Sequence, residues 1–80
     1  MDESAIYKRL NEIFRDILDD EQITLTPETT ATDIPEWDSF NHVNISVACE
    51  AAFGIRFKAA ELEELRNVGE LVQIIQRKLG

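Results

Sequence analysis

Ser39 and His42 are the first residues to weigh for chemistry. A serine nucleophile needs a base within hydrogen-bond reach and a third group that orients the base. Ser39 and His42 stand at i and i+3, so on one helix they approach each other. His42 is the sole histidine, however, and a chain of eighty residues shows no enclosed site or oxyanion hole for it to serve. No catalytic residue is assigned, and His42 is expected to pack half-buried against the third helix. Cys49 lies on an apolar helix face, the setting of an inert core thiol. One histidine and one cysteine do not make a zinc site. The acid cluster Asp19-Asp20-Glu21 lacks the glycine and the ligand spacing of a calcium loop, and reads as a solvated turn. No metal site is expected.

Asp38 and Ser39 offer a different chemistry. Both residue types start helices, because their oxygens accept the orphan N–H groups of the first turn. They stand just ahead of an apolar periodic run, so Ser39 is expected in the first turn of a helix with its hydroxyl near solvent. A helix N-terminus also favours a phosphate, through its free N–H groups and its dipole. Taken alone, the Asp-Ser pair is an ordinary helix start. Capping and modification are compatible.

The elements that must position these residues are legible as four helices. The first runs from about Glu3 to Leu18, with Ile6, Leu10, Ile13, Phe14, Ile17 and Leu18 on one face, Tyr7 at its edge, and Asp2 or Ser4 as cap. A long connection from Gln22 to Trp37 follows, anchored by Ile23, Leu25, Ile34 and Trp37. It leaves room for a short extended piece at Ile23–Leu25 and for a helical turn at Pro27–Thr30. The second helix runs from Ser39 to about Phe53 and ends at Gly54, which takes the left-handed conformation freely. It carries two apolar stripes. Ile45, Cys49 and Phe53 are assigned to the core, and Phe40, Val43 and Val47 to a partly exposed docking stripe beside Ser39. Ile55 and Phe57 then point inward. A short third helix spans Lys58 to Leu65, with Leu62 and Leu65 inward and Glu61, Glu63 and Glu64 outward. The fourth opens on an Asn67/Glu70 capping box and buries Val68, Leu71, Val72, Ile75 and Leu79.

Composition bounds the function. Eighty residues make a single domain, 1–80, with one modest core. Sixteen acids stand against eight bases, a net charge of −8. That argues against nucleic acid and against anionic membrane surfaces, and favours basic partner surfaces. No run is long enough to span a membrane, and the acidic N-terminus lacks a signal-peptide core. A soluble, cytoplasmic monomer is expected.

Trp37-Asp38-Ser39-Phe40, about fourteen residues ahead of the Gly54 in Phe53-Gly54-Ile55, closely resembles the Asp-Ser-Leu motif of acyl carrier proteins and related peptidyl carrier domains. The similarity extends over nearly the whole chain. It implies an all-α, small four-helix bundle of acyl-carrier-protein type, with a long first loop and a short third helix. It further implies that Ser39 carries a 4′-phosphopantetheine arm through a phosphodiester, holding acyl or aminoacyl groups as thioesters. Asp38 would help place the hydroxyl and metal-bound coenzyme A in the modifying transferase. Phe40, Val43, Asn44 and Val47 would meet partners, and Ile45, Cys49, Ile55 and Phe57 would line an acyl pocket, with Phe57 shortening it. The implied partners are a phosphopantetheinyl transferase, an acyl- or aminoacyl-loading ligase, and a downstream acyltransferase or synthase. In fatty-acid-synthesis carriers the second helix is studded with acids. Here its surface shows Asn41, Asn44, Ala51 and only Glu50, which suggests a dedicated fatty-acid, polyketide, nonribosomal-peptide or cell-envelope pathway. The alternative is a non-catalytic helical interaction module that uses the same apolar stripe.

Overall fold

The computed structural model describes residues 2–80. Its element order is α1 (Glu3–Leu18), α2 (Ser39–Phe53), α3 (Ala59–Glu63) and α4 (Val68–Leu79). Among the described residues there is no strand, and Ile23–Leu25 is an unpaired stretch.

The helix ends are set locally. Asp2 caps α1 by accepting the Ala5 amide at 2.8 Å. Asp19 closes it in the left-handed region at φ 52°, a conformation that Asp tolerates better than most residues. Gly54 does the same for α2 at φ 67°. Asn67 caps α4 through the Glu70 amide at 2.9 Å. The expected capping box is displaced by one residue: the Glu70 carboxylate accepts from the Arg66 amide at 2.7 Å rather than from Asn67. Asn67 is fully extended, which carries its own N–H out of the first turn.

The core is one cluster. Ile6, Leu10, Ile13, Phe14 and Leu18 of α1 meet Ile45, Cys49 and Phe53 of α2 and Val68, Leu71, Val72 and Ile75 of α4. Burying a side chain such as Phe14 stabilises by roughly 1.5–3 kcal/mol. α1 packs most extensively on α2, then on α4. One expectation fails at the rim, and one buried residue was missed. Leu79 is 37 % exposed, and Ile74, not singled out from the sequence, is buried in α4. Ile17 is half-buried.

The long connection is tied down from both sides. Ile23, Leu25, Ile34 and Trp37 are all buried in the cluster. Arg15 Nε donates to the Ile23 carbonyl at 2.6 Å, and the Leu25 amide donates to Asn11 Oδ1 at 2.7 Å. The first-turn amides of α4 complete the attachment: Val68 donates to the Thr29 carbonyl at 2.9 Å and Gly69 to that of Pro27 at 3.0 Å. Pro27–Thr30 is therefore a turn and not a helical segment, because its carbonyls face α4.

α3 is shorter than the expected Lys58–Leu65 and buries none of its residues fully. Leu62 and Leu65 are half-buried. Glu61 is drawn in rather than outward. Its carboxylate accepts the Lys58 amide at 2.8 Å and pairs with Lys78 Nζ of α4 at 3.0 Å. With only five residues, α3 depends on these polar ties more than on burial.

Candidate functional site at the start of α2

Asp38 is the N-cap of α2. Its backbone is extended, its Oδ1 accepts the Asn41 amide at 2.9 Å, and its carbonyl accepts the His42 amide at 2.8 Å. Ser39 is thus relieved of capping. It is the first helical residue, it is exposed, and its hydroxyl faces solvent. The Asn41 side-chain amide donates to the Glu36 carbonyl at 2.9 Å, which ties the end of the long loop to the first turn.

Trp37 holds this corner against the core. Its ring meets Phe14 of α1 edge-on, with centroids 4.9 Å apart. Its indole N–H donates to His42 Nδ1 at 3.0 Å. His42 is half-buried as expected, but its polar partner is Trp37 at the end of the loop. A buried indole needs an acceptor for its N–H. That requirement was a usable signal in the sequence, since His42 lies one turn into the helix that Trp37 precedes.

A groove of about 520 Å³ opens beside Ser39. Trp37, Asp38, Ser39 and His42 form one side, with Thr30–Thr32 of the loop and Leu65–Asn67 ahead of α4 around them. The loop and the 65–67 segment are distant in sequence, and no local pattern marks them as neighbours of Ser39.

Phe40, Val43 and Val47 are 75 %, 60 % and 58 % exposed, so the second stripe of α2 does stand free of the loop. Asn44 beside them is exposed. Glu50 is half-buried and accepts the Phe57 amide at 2.8 Å. The one carboxylate within α2 is therefore committed to the α2–α3 turn. Ile45, Cys49 and Ile55 are buried in the common core, with Phe57 packed at its edge. Ser46, unremarked in the sequence, is buried by donating to the His42 carbonyl at 2.8 Å. Burial pushes the Cys49 thiol up to about 12, aided by the Glu50 charge, which is the state of an inert thiol.

An exposed hydroxyl that the cap does not use, at a helix N-terminus, suits a phosphodiester. Arg66 lines the same groove and adds a cation. The match to known proteins agrees with this geometry. The family described as phosphopantetheine attachment site matches residues 8–75. The chain belongs to that family. An acyl carrier protein of Petrotoga mobilis is 28 % identical over 100 % of this chain and 94 % of its own length. A meromycolate extension acyl carrier protein of Mycolicibacterium aurum is 32 % identical over 94 % of this chain and 77 % of its own. The solution structure of a holo acyl carrier protein from Geobacter metallireducens superposes with a TM-score of 0.86 at 44 % identity, covering 91 % of this chain and 84 % of that one. Family and fold together make this a non-catalytic acyl carrier with a covalent 4′-phosphopantetheine. The group supplies a thiol for thioester chemistry, and the phosphopantetheine-family fold supplies the tether and the surface. Among the described residues, no helix is long and apolar enough to cross a membrane.

Proposed function

We propose that Ser39 is the attachment residue, and that the protein carries acyl or aminoacyl groups for one dedicated biosynthetic pathway in the cytoplasm. The carrying observation is the division of labour at the start of α2: Asp38 caps, which leaves the Ser39 hydroxyl exposed. The Asp38 carboxylate keeps the first turn formed while a transferase brings coenzyme A to that hydroxyl. Ile45, Cys49, Ile55 and Phe57 are the side chains a hydrocarbon cargo would have to part.

Phe40, Val43, Asn44 and Val47 form the docking surface for the phosphopantetheinyl transferase, the loading ligase and a downstream acyltransferase or synthase. That surface is close to neutral, because Glu50 is engaged with Phe57. Partners are accordingly recognised by apolar contact and amide hydrogen bonds, with the acids of the flanking loop giving only long-range steering. Such a surface suits a partner set distinct from that of a general fatty-acid carrier. Family membership favours this reading over a bare helical interaction module.

The test is intact mass after incubation with coenzyme A, magnesium and a broad-specificity phosphopantetheinyl transferase, with Ser39→Ala alongside. The expected result is a gain of one phosphopantetheine on the parent alone. Folded parent protein that gains nothing with several transferases, or a Ser39→Ala variant that still gains the arm, overturns the assignment.

A further inference from the structure

The free stripe of α2 has a symmetry that a single chain does not use. Phe40, Val43, Val47, Ala51 and Gly54 are all exposed and follow at spacings of 3, 4, 4 and 3 residues, so they share one face of the helix and its end. The series is the same in both directions about Val47. The charges beyond it are balanced about Val47 as well, with opposite signs. Asp38 stands nine residues before Val47 and Arg56 nine after; Glu36 stands eleven before and Lys58 eleven after. All four are exposed, and among the described residues none of the four is in an ion pair.

The two ends of the stripe differ in shape. Phe40 projects from the first. At the second, a shallow depression of about 440 Å³ is lined by Val47, Glu50, Ala51, Gly54, Ile55 and Arg56. Gly54 leaves it open, since nothing stands within 4 Å of where a Cβ would be. The Glu50 carboxylate is held by the Phe57 amide. Arg56 belongs to the depression although the chain has left α2 at Gly54.

A surface that fits this one has its hole opposite Phe40 and its charges reversed end for end. The same face turned about a twofold axis through Val47 meets both conditions. With two α2 helices antiparallel, Phe40 of each chain lies against Gly54 of the other, Val43 against Ala51, and Val47 against its own copy. Asp38 comes opposite Arg56, and Glu36 opposite Lys58. Such a contact is isologous and closes on itself. Each helix N-terminus also lies beside the other's C-terminus, the favourable sense for the two dipoles. The net charge of −8 on each chain opposes association. Screening over about 8 Å at physiological ionic strength confines that repulsion to charges near the contact, where the signs are opposite. One helix face falls short of the roughly 800 Å² per partner of a stable interface, so the pairing is weak.

We propose that the chain pairs with a second copy of itself through α2, antiparallel and centred on Val47, in a weak dimer that covers the docking stripe. Pairing and the docking of an enzyme on that stripe then exclude one another, and dilution returns the monomer. The pairing itself does not depend on Ser39 carrying the arm.

The test uses the full chain in its apo form. Sedimentation equilibrium is expected to show a monomer–dimer equilibrium with Kd on the order of 0.1–1 mM, the range of a small contact. Val47→Asp sets two carboxylates face to face on the axis and is expected to raise Kd at least roughly tenfold. It replaces an exposed side chain, and circular dichroism checks that the helices are kept. Cysteine variants test the register, since the native Cys49 is 0 % exposed and stays out of the reaction. Under oxidised glutathione, Val47→Cys is expected to form a disulfide-linked dimer roughly tenfold faster than Phe40→Cys, because the copies of position 47 meet while those of position 40 stand about 21 Å apart along the helices. Random collision would favour Phe40→Cys, as Phe40 is 75 % exposed and Val47 58 %. Lys58→Glu is expected to raise Kd roughly threefold, and adding Glu36→Lys to bring it back near the parent. A chain that stays monomeric up to about 2 mM, cross-linking that is equal or faster at position 40, or a double reversal no tighter than Lys58→Glu alone, overturns the proposal.

Discussion

Trp37 Nε1 donates to His42 Nδ1 at 3.0 Å, and the two rings lie at a centroid distance of 5.9 Å. Because Trp37 also meets Phe14 edge-on, this one bond links α1, the end of the long loop and the first turn of α2. Removing the acceptor strands a buried N–H, at a cost of about 1–3 kcal/mol. His42→Ala is expected to lose that much in urea unfolding followed by Trp37 fluorescence. His42→Gln, which keeps an acceptor, is expected to lose less. Equal losses would show that ring packing, and not the hydrogen bond, holds the corner.

Asp38 caps α2 and leaves its neighbour Ser39 free of that task, and their variants separate accordingly. Asp38→Ala removes the side-chain acceptor of the Asn41 amide and is expected to cost about 1 kcal/mol, with Asp38→Asn close to the parent. Ser39→Ala is expected to stay within about 0.5 kcal/mol of the parent in the same unfolding measurement. A large loss in Ser39→Ala would mean that its hydroxyl serves the helix.

The exposed stripe makes a kinetic prediction. Val43→Ser and Val47→Ser remove apolar surface that contributes little to the core, so stability is expected to hold within about 0.5 kcal/mol. Arm transfer by a phosphopantetheinyl transferase is expected to drop roughly tenfold in kcat/KM for the pair, the effect of losing a central apolar contact of about 1.4 kcal/mol. Raising the salt to about 0.5 M is expected to change that rate little, since screening acts on exposed charge. A steep fall with salt would place recognition on the acidic loop instead.

Gly69 carries a prediction of unusual sign. Within an exposed helix, Gly→Ala normally gains up to about 1 kcal/mol. Here a Cβ at position 69 would stand 3.0 Å from the Pro27 carbonyl oxygen and 3.2 Å from the Pro27 Cβ. Neither is a flexible chain end. Gly69→Ala is expected to destabilise by about 1 kcal/mol and to loosen the loop, read as faster amide exchange at Val68 and at the substituted position. A net gain would show that the 26–30 turn shifts freely.

Glu61 is expected to make the α3 attachment acid-sensitive. The Lys58 amide, and next the Lys78 ammonium, hold its carboxyl below the usual range. A depressed folded-state value contributes stability that is present above the unfolded carboxylate value and is lost as pH falls through the folded one. Acid titration is therefore expected to release α3 before the α1–α2–α4 core, seen as early movement of the Ala59–Glu63 amide signals. Glu61→Gln is expected to remove that early step. Loss of α3 and core together would refute it.

Local chemistry was enough to read the helices and the exposed serine at the start of α2 from the residues. Caps at Asp2, Asp38 and Asn67, the stop at Gly54, and the periodicity of α1 and α4 are decided within one or two turns, so they survive any tertiary arrangement. The free stripe of Phe40, Val43 and Val47 followed from a simple limit: a chain this short lacks the material to cover α2 on every side. Other features depended on what lies across the fold. That Leu79 is left exposed while Ile74 is buried depends on which neighbours reach α4. Glu61 and Glu50 turn inward because amides at Lys58 and Phe57 need acceptors, which helical spacing does not reveal. The groove beside Ser39 exists only because α4's free first-turn amides bind the Pro27 and Thr29 carbonyls and bring residues 30–32 up to 65–67. Short-range hydrogen bonding and periodicity are written in neighbouring residues; the pairing of orphan amides with distant carbonyls is decided by packing, and packing occurs only in three dimensions.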